Sequence, residues 1–121
     1  MTDGLTLTTS STDGRLAVLS VGGHIDIETA PTLRGSALAL IAQGHSHLVL
    51  DLAQVTFCDS SGLNALIGIM RCAKTADGSL ALASIPDRLA RMLDFTGVST
   101  VLPAYPSADA AVRAHSTDEP R

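Results

Sequence analysis

Apolar and polar positions divide this chain into short runs and longer periodic stretches. Leu5-Thr6-Leu7-Thr8 alternates, Leu16-Ala17-Val18-Leu19-Ser20-Val21 is nearly continuous, and Thr12-Asp13-Gly14 lies between them. This opening reads as a β-hairpin. Thr29 stands at a helix-cap position with Pro31 in the first turn, and Leu33, Ala37, Leu40 and Ile41 recur at helical spacing until Gly44. His47 to Leu52 is apolar without alternation, as in a parallel strand covered on both faces, which places it at the centre of the sheet.

A second helix is predicted from Ser60 to about Lys74 or Thr75. Ala76-Asp77-Gly78 then turns the chain into a strand at Ser79-Leu80-Ala81-Leu82-Ala83. Ser84-Ile85-Pro86-Asp87 resembles a capping box for a short third helix, whose apolar face is Leu89, Met92 and Leu93 and which ends before Gly97. Phe95 and Val98 are expected to pack that helix onto the sheet. A last strand is predicted around Thr100 to Leu102 and a last helix from about Ser107 to Ala114. The polar residues 115–121 read as a flexible tail. Gly22-Gly23 reads as a bend. No internal repeat or Gly/Ser/Pro-rich linker divides the chain, so the expectation is one α/β domain over residues 4–114. Its mixed sheet of about five strands is flanked by about four helices.

At the junction between the central strand and the second helix stands Cys58-Asp59-Ser60-Ser61-Gly62-Leu63. An Asp or Ser there supplies a side-chain oxygen to cap the first free backbone N–H groups, and Gly62 lets another surface approach closely. Capping alone explains these residue types. Downstream, Leu63, Leu66, Ile67 and Met70 form an apolar face, while Asn64, Gly68, Arg71 and Thr75 follow one stripe at helical spacing. A solvated face normally carries several charges. This one has a single Arg, which reads as a partner-contact surface beneath the two serines; a polar face without a role is the alternative.

The junction, its flanks Leu48 to Phe57 and Asn64 to Gly68, the upstream Gly23-His24-Ile25-Asp26 with Thr29-Ala30, and the downstream Ile85-Pro86 through Val98 together resemble the STAS domain. The resemblance is to its anti-sigma-factor antagonist branch and covers roughly Gly4 to Ala114. It implies that Ser60, the first Ser after the Asp, accepts phosphate from a partner serine kinase that is also the anti-sigma factor. It further implies that the Gly-x-Ile-Asp region, ending at Asp26, contributes to partner contact, that ATP is held by the partner, and that a phosphoserine phosphatase restores Ser60; with the junction and the helix stripe, the expected partner-contact residues are Asp26, Asp59, Ser60, Ser61, Gly62, Asn64, Gly68 and Arg71. Asp26 and Glu28 have an equally good reading as residues that cap or solvate the first helix. Asn64 departs from the small or apolar residue often found after Gly-Leu in that branch.

Composition narrows the remaining choices. The 121 residues suffice for one hydrophobic core, and with 45% hydrophobic residues but no Trp, one Tyr and two Phe, aliphatic side chains must fill it. A formal charge of −4 with scattered Lys and Arg argues against a nucleic-acid groove. No apolar stretch reaches the ~20 residues that span a bilayer, and no secretory signal pattern opens the chain, so the expected setting is cytoplasmic without membrane insertion. Cys58 and Cys72 lack zinc-ligand spacing and read as small core residues; neither a metal nor a cofactor is expected.

Enzymatic readings fit poorly. A nucleophile elbow needs Gly where Asp59 stands, and His24, His45, His47 and His115 sit in predicted loops or strand starts without an evident acid partner. Nucleotide-binding glycine motifs are absent. The rival within the same resemblance is a STAS scaffold, serving a sensory assembly or a lipid or anion transport system, which needs no acceptor serine.

Overall fold

The computed structural model describes residues 4–118. The elements follow in the order β1 (Leu5–Asp13), β2 (Leu16–Ile25), α1 (Ala30–Ala42), β3 (His47–Cys58), α2 (Ser60–Thr75), β4 (Ser79–Ala83), α3 (Asp87–Thr96), a single 3-10 turn (Val98–Thr100), β5 (Ala104–Tyr105) and α4 (Ala108–Asp118). Strand order across the sheet is β1-β2-β3-β4-β5. β1 pairs with β2 antiparallel and every other pairing is parallel. The opening hairpin is therefore the antiparallel part of a mixed sheet, as its alternating pattern predicts.

β3 is central and both of its faces are covered. Leu48, Leu50 and Leu52 face the main core beneath α1, α2 and α3, while Val49 faces the smaller cluster beneath α4. The same alternation runs through β2, where Ala17, Leu19 and Val21 meet the main core and Leu16 and Val18 the other. Leu33, Leu66 and Ile69 are fully buried between the helices and the sheet, each contributing roughly 1.5–3 kcal/mol of burial.

Several expectations need correction. β3 does not stop at Leu52 but runs to Cys58, because Gln54, Val55, Phe57 and Cys58 pair with the end of β2. Gly22 and Gly23 lie inside β2 at two register irregularities rather than in a bend, and Gly23 takes φ +89° there. Ser84 does not cap α3. Pro86 occupies the N-cap, while Ser84 sits at φ 55° and its hydroxyl donates to the Pro106 carbonyl (3.3 Å). Residues 98–100 form the 3-10 turn that buries Val98, and the last strand follows as two residues, Ala104 and Tyr105. Phe95 is 94% exposed, since it lies on the face of α3 opposite Leu89 and Leu93. α4 continues through His115 to Asp118, so the predicted tail is helical over those positions, and residues 119–121 lie outside the described residues. His115 accordingly belongs to a helix.

Candidate functional site

The site forms where two parallel strands end together. Ile25 at the end of β2 pairs with Cys58 at the end of β3, and the Asp59 N–H donates to the Ile25 carbonyl (3.2 Å). The turn leading into α1 and the turn leading into α2 therefore lie side by side, at the carboxyl ends of the parallel strands.

Asp59 is the N-cap of α2 in extended conformation. Its Oδ1 accepts the N–H groups of Ser61 (2.8 Å) and Gly62 (3.4 Å), and the Leu63 N–H donates to its carbonyl (3.1 Å). This is the capping role its residue type predicts. Gly62 is buried against the strand ends: a Cβ placed there would lie 2.7 Å from Ile25 Cγ2 and would collide with Cys58 Sγ. Its absence lets the first turn of α2 press onto β2 and β3. Ser60, the first residue of α2, is thereby directed outward and exposed, whereas Ser61 is half-buried. Among the described residues the Ser60 hydroxyl makes no hydrogen bond.

Asp26 shapes the neighbouring turn. Its Oδ1 accepts the N–H groups of Glu28 (2.9 Å) and Thr29 (3.1 Å), and its carbonyl accepts the Ala30 N–H (2.8 Å). The Thr29 N–H, foremost, with that of Glu28, holds the Asp26 carboxyl below its ordinary range. Thr29 occupies the N-cap position of α1 without capping it. Its hydroxyl instead donates to the His24 carbonyl (2.8 Å) and accepts the Asp26 N–H (2.9 Å). Asp26 therefore builds the turn, as one of its two sequence readings requires.

The α2 stripe divides on inspection. Asn64, Arg71 and Thr75 are exposed, and the Thr75 hydroxyl donates back to the Arg71 carbonyl (3.0 Å). Gly68 instead lies under the Arg34 side chain of α1, where a Cβ would come within 3.3 Å of Nε. Arg71 is well down the helix from Ser60, while Asn64 is one turn away. Between the helices runs a groove of about 490 Å³ lined by Ile27, Pro31, Arg34, Leu38, Ser61 and Asn64, among others. Sequence reasoning missed Ile27, Arg34 and Leu38. Ile27 is 75% exposed because β2 ends at Ile25 and the following turn swings it outward. An apolar residue alternating with Ile25 across a strand end was the available signal.

On the other flank, Phe57 is half-exposed and meets the His24 ring edge-on, with centroids 6.0 Å apart. Cys58 packs against the core, and burial, followed by the adjacent Asp59 charge, pushes its thiol up to about 11. Among the described residues no group of three or more His, Cys, Asp or Glu could hold a metal ion, and no helix is long and apolar enough to cross a membrane.

Residues 8–111 match the family model of the STAS domain. The chain is 32% identical over 95 residues to a Bacillus subtilis (strain 168) protein described as an anti-sigma-B factor antagonist, covering 78% of this chain and 86% of that one. Its structure is similar to that of an anti-sigma factor antagonist from Mycobacterium paratuberculosis, at TM-score 0.81 and 32% identity, covering 91% of this chain and 92% of the other. It also shares the fold of the Bacillus cell fate determinant SpoIIAA in its phosphorylated form, at TM-score 0.71 and 18% identity, covering 90% and 99%.

Proposed function

The chain belongs to the STAS domain family, and from that premise we propose that it is a cytoplasmic anti-sigma-factor antagonist switched by phosphorylation at Ser60. The unmodified protein binds an anti-sigma factor that is also a serine kinase, and so releases a sigma factor. It acts by binding, not by catalysis. The kinase supplies ATP, whose γ-phosphoryl passes to Ser60 Oγ, and a phosphoserine phosphatase reverses the step.

The observation that carries this reading is the outward-facing Ser60 hydroxyl, at the first position of α2 and beside the α1–α2 groove. A kinase can reach it without unfolding the chain. Asp59 already takes the Ser61 and Gly62 N–H groups, so these donors are not available to neutralise a phosphate on Ser60. The phosphate therefore adds about −1.5 to −2 charges to a surface that already contains Asp59 and the Asp26-Ile27-Glu28 turn. A partner surface that fits the unmodified protein is then repelled or left poorly solvated.

Immobilised wild type, Ser60→Ala and Ser60→Asp, exposed to source-cell extract with ATP, test the proposal. Retention of an ATP-binding anti-sigma factor by Ser60→Ala and its loss with Ser60→Asp are expected. Equal retention by both would reduce Ser60 to a helix-start residue and return the scaffold reading.

A further inference from the structure

α1 carries a single charged residue, Arg34, among the 13 from Ala30 to Ala42. A helix so poor in charge is ordinarily covered on every side, yet only Ala30, Leu33, Ala37, Leu40 and Ile41 of α1 are buried. Pro31, Arg34 and Gly35 are exposed and Leu38 is half-buried. These four fall at i, i+3, i+4 and i+7, one stripe along the helix. The stripe borders the groove of about 490 Å³ whose opposite wall is α2 at Ser61, Asn64 and Ala65, again at i, i+3 and i+4. Ile27, 75% exposed in the turn before α1, extends the apolar surface.

The electrostatics of the groove are one-sided. Arg34 is the one charged residue on its lining, which holds no carboxylate. Among the described residues the Arg34 guanidinium has no hydrogen-bond or ion-pair partner. It lies across α2 at Gly68, where a Cβ would come within 3.3 Å of Nε. Asp26 and Glu28 flank Ile27 in sequence, but Asp26 spends its Oδ1 on the turn and neither residue lines the groove. An apolar trough therefore carries a free set of planar N–H donors. In a chain of net charge −4, that is a local reversal of sign.

We propose that this groove docks an amphipathic helix of a partner protein, its apolar stripe on Ile27, Pro31 and Leu38 and one of its carboxylates on Arg34. A trough between two helices takes a third through apolar anchors at helical spacing. A free guanidinium pairs a carboxylate through a matched fork of N–H donors. A second copy of this chain is disfavoured as occupant, because two-fold symmetry sets the same cation and the same acid-free lining on both sides. The inference deepens the antagonist reading and rests on it for the partner's identity. The helix then belongs to the anti-sigma factor, and its acidic character beside Ser60 is what a phosphate there repels.

The test is an amide NMR titration of the full chain with two synthetic helical peptides of about 18 residues, long enough to hold helix in water. Both carry a leucine stripe at i, i+3, i+4 and i+7. One has a glutamate at the edge of the stripe and the other a lysine. Saturable shifts at Ile27, Gly35, Leu38 and Asn64 are expected, with the glutamate peptide binding roughly tenfold more tightly. Arg34→Glu, at an exposed position, should reverse that preference. Gly35→Gln, where a Cβ meets no atom within 4 Å, fills the stripe and should weaken both peptides at least about tenfold. Absent or unsaturable shifts, equal affinity of the two peptides for the wild type, or a preference that survives in Arg34→Glu would each overturn the proposal. Equal retention of the anti-sigma factor by Ser60→Ala and Ser60→Asp would instead overturn the phosphorylation switch and leave the peptide result standing.

Discussion

Gly62, Cys58 and Asp26 each turn a local constraint into a property of the site. Any side chain at Gly62 must displace Cys58 or Ile25, so Gly62→Ala should destabilise the fold by about 1–3 kcal/mol, the ordinary range for overpacking. Urea unfolding measures this directly, and a change near zero would mean that α2 rides over the strand ends more loosely than described. Cys58, with its thiol pushed up to about 11 by burial and the Asp59 charge, should resist iodoacetamide at neutral pH and react only in strongly alkaline solution or after unfolding. Asp26 acts in the opposite direction. Its folded carboxyl is held below the ordinary range by the Thr29 and Glu28 N–H groups, so as pH falls the unfolded chain takes up that proton first. The turn's contribution to stability is thus present above the ordinary carboxylate range and lost as pH falls through the lowered value. The amide resonances of Glu28 and Thr29 should titrate together there, and Asp26→Asn should remove the step.

At the scale of elements, α2 carries the site and α3 separates core from surface. Asp59→Ala should cost about 1 kcal/mol through loss of the N-cap, leaving Ser60 exposed at a frayed helix start. On α3, Phe95→Ser should change stability by no more than about 0.5 kcal/mol because the ring is almost wholly in solvent, whereas Val98→Ala should cost more. The element pattern was legible where one physical signal dominated. Continuous apolar character marks β3 as central, and the β4 run Ser79–Ala83 emerges with its observed bounds. Errors arose where two residue types compete for one role. Ser84 looks like a cap but spends its hydroxyl on Pro106, and Thr29 turns its hydroxyl back to His24. Phe95 is apolar and helical, but it falls on the wrong side of a short amphipathic helix. The Asp59 cap and the helix start at Ser60 could be read from the junction motif. Arg34 and Leu38 could not, because their place beside Ser61 depends on how α1 packs against α2.

Across the whole molecule, the proposed regulation by charge requires no rearrangement. The two strand ends, the Asp59 cap and the Asp26 turn are already joined by hydrogen bonds, and the Ser60 hydroxyl, exposed at the start of α2, takes no part in them. Phosphorylation should therefore leave far-ultraviolet circular dichroism unchanged and alter stability by less than about 1 kcal/mol, the phosphate being exposed at a helix start. What should change is association with the partner. The decisive measurement is calorimetric titration of the purified anti-sigma factor with unmodified protein and with protein stoichiometrically phosphorylated at Ser60, at equal ionic strength. A loss of roughly 3 kcal/mol, about a hundredfold in affinity, is the predicted result; equal affinity of the two forms would contradict the switch.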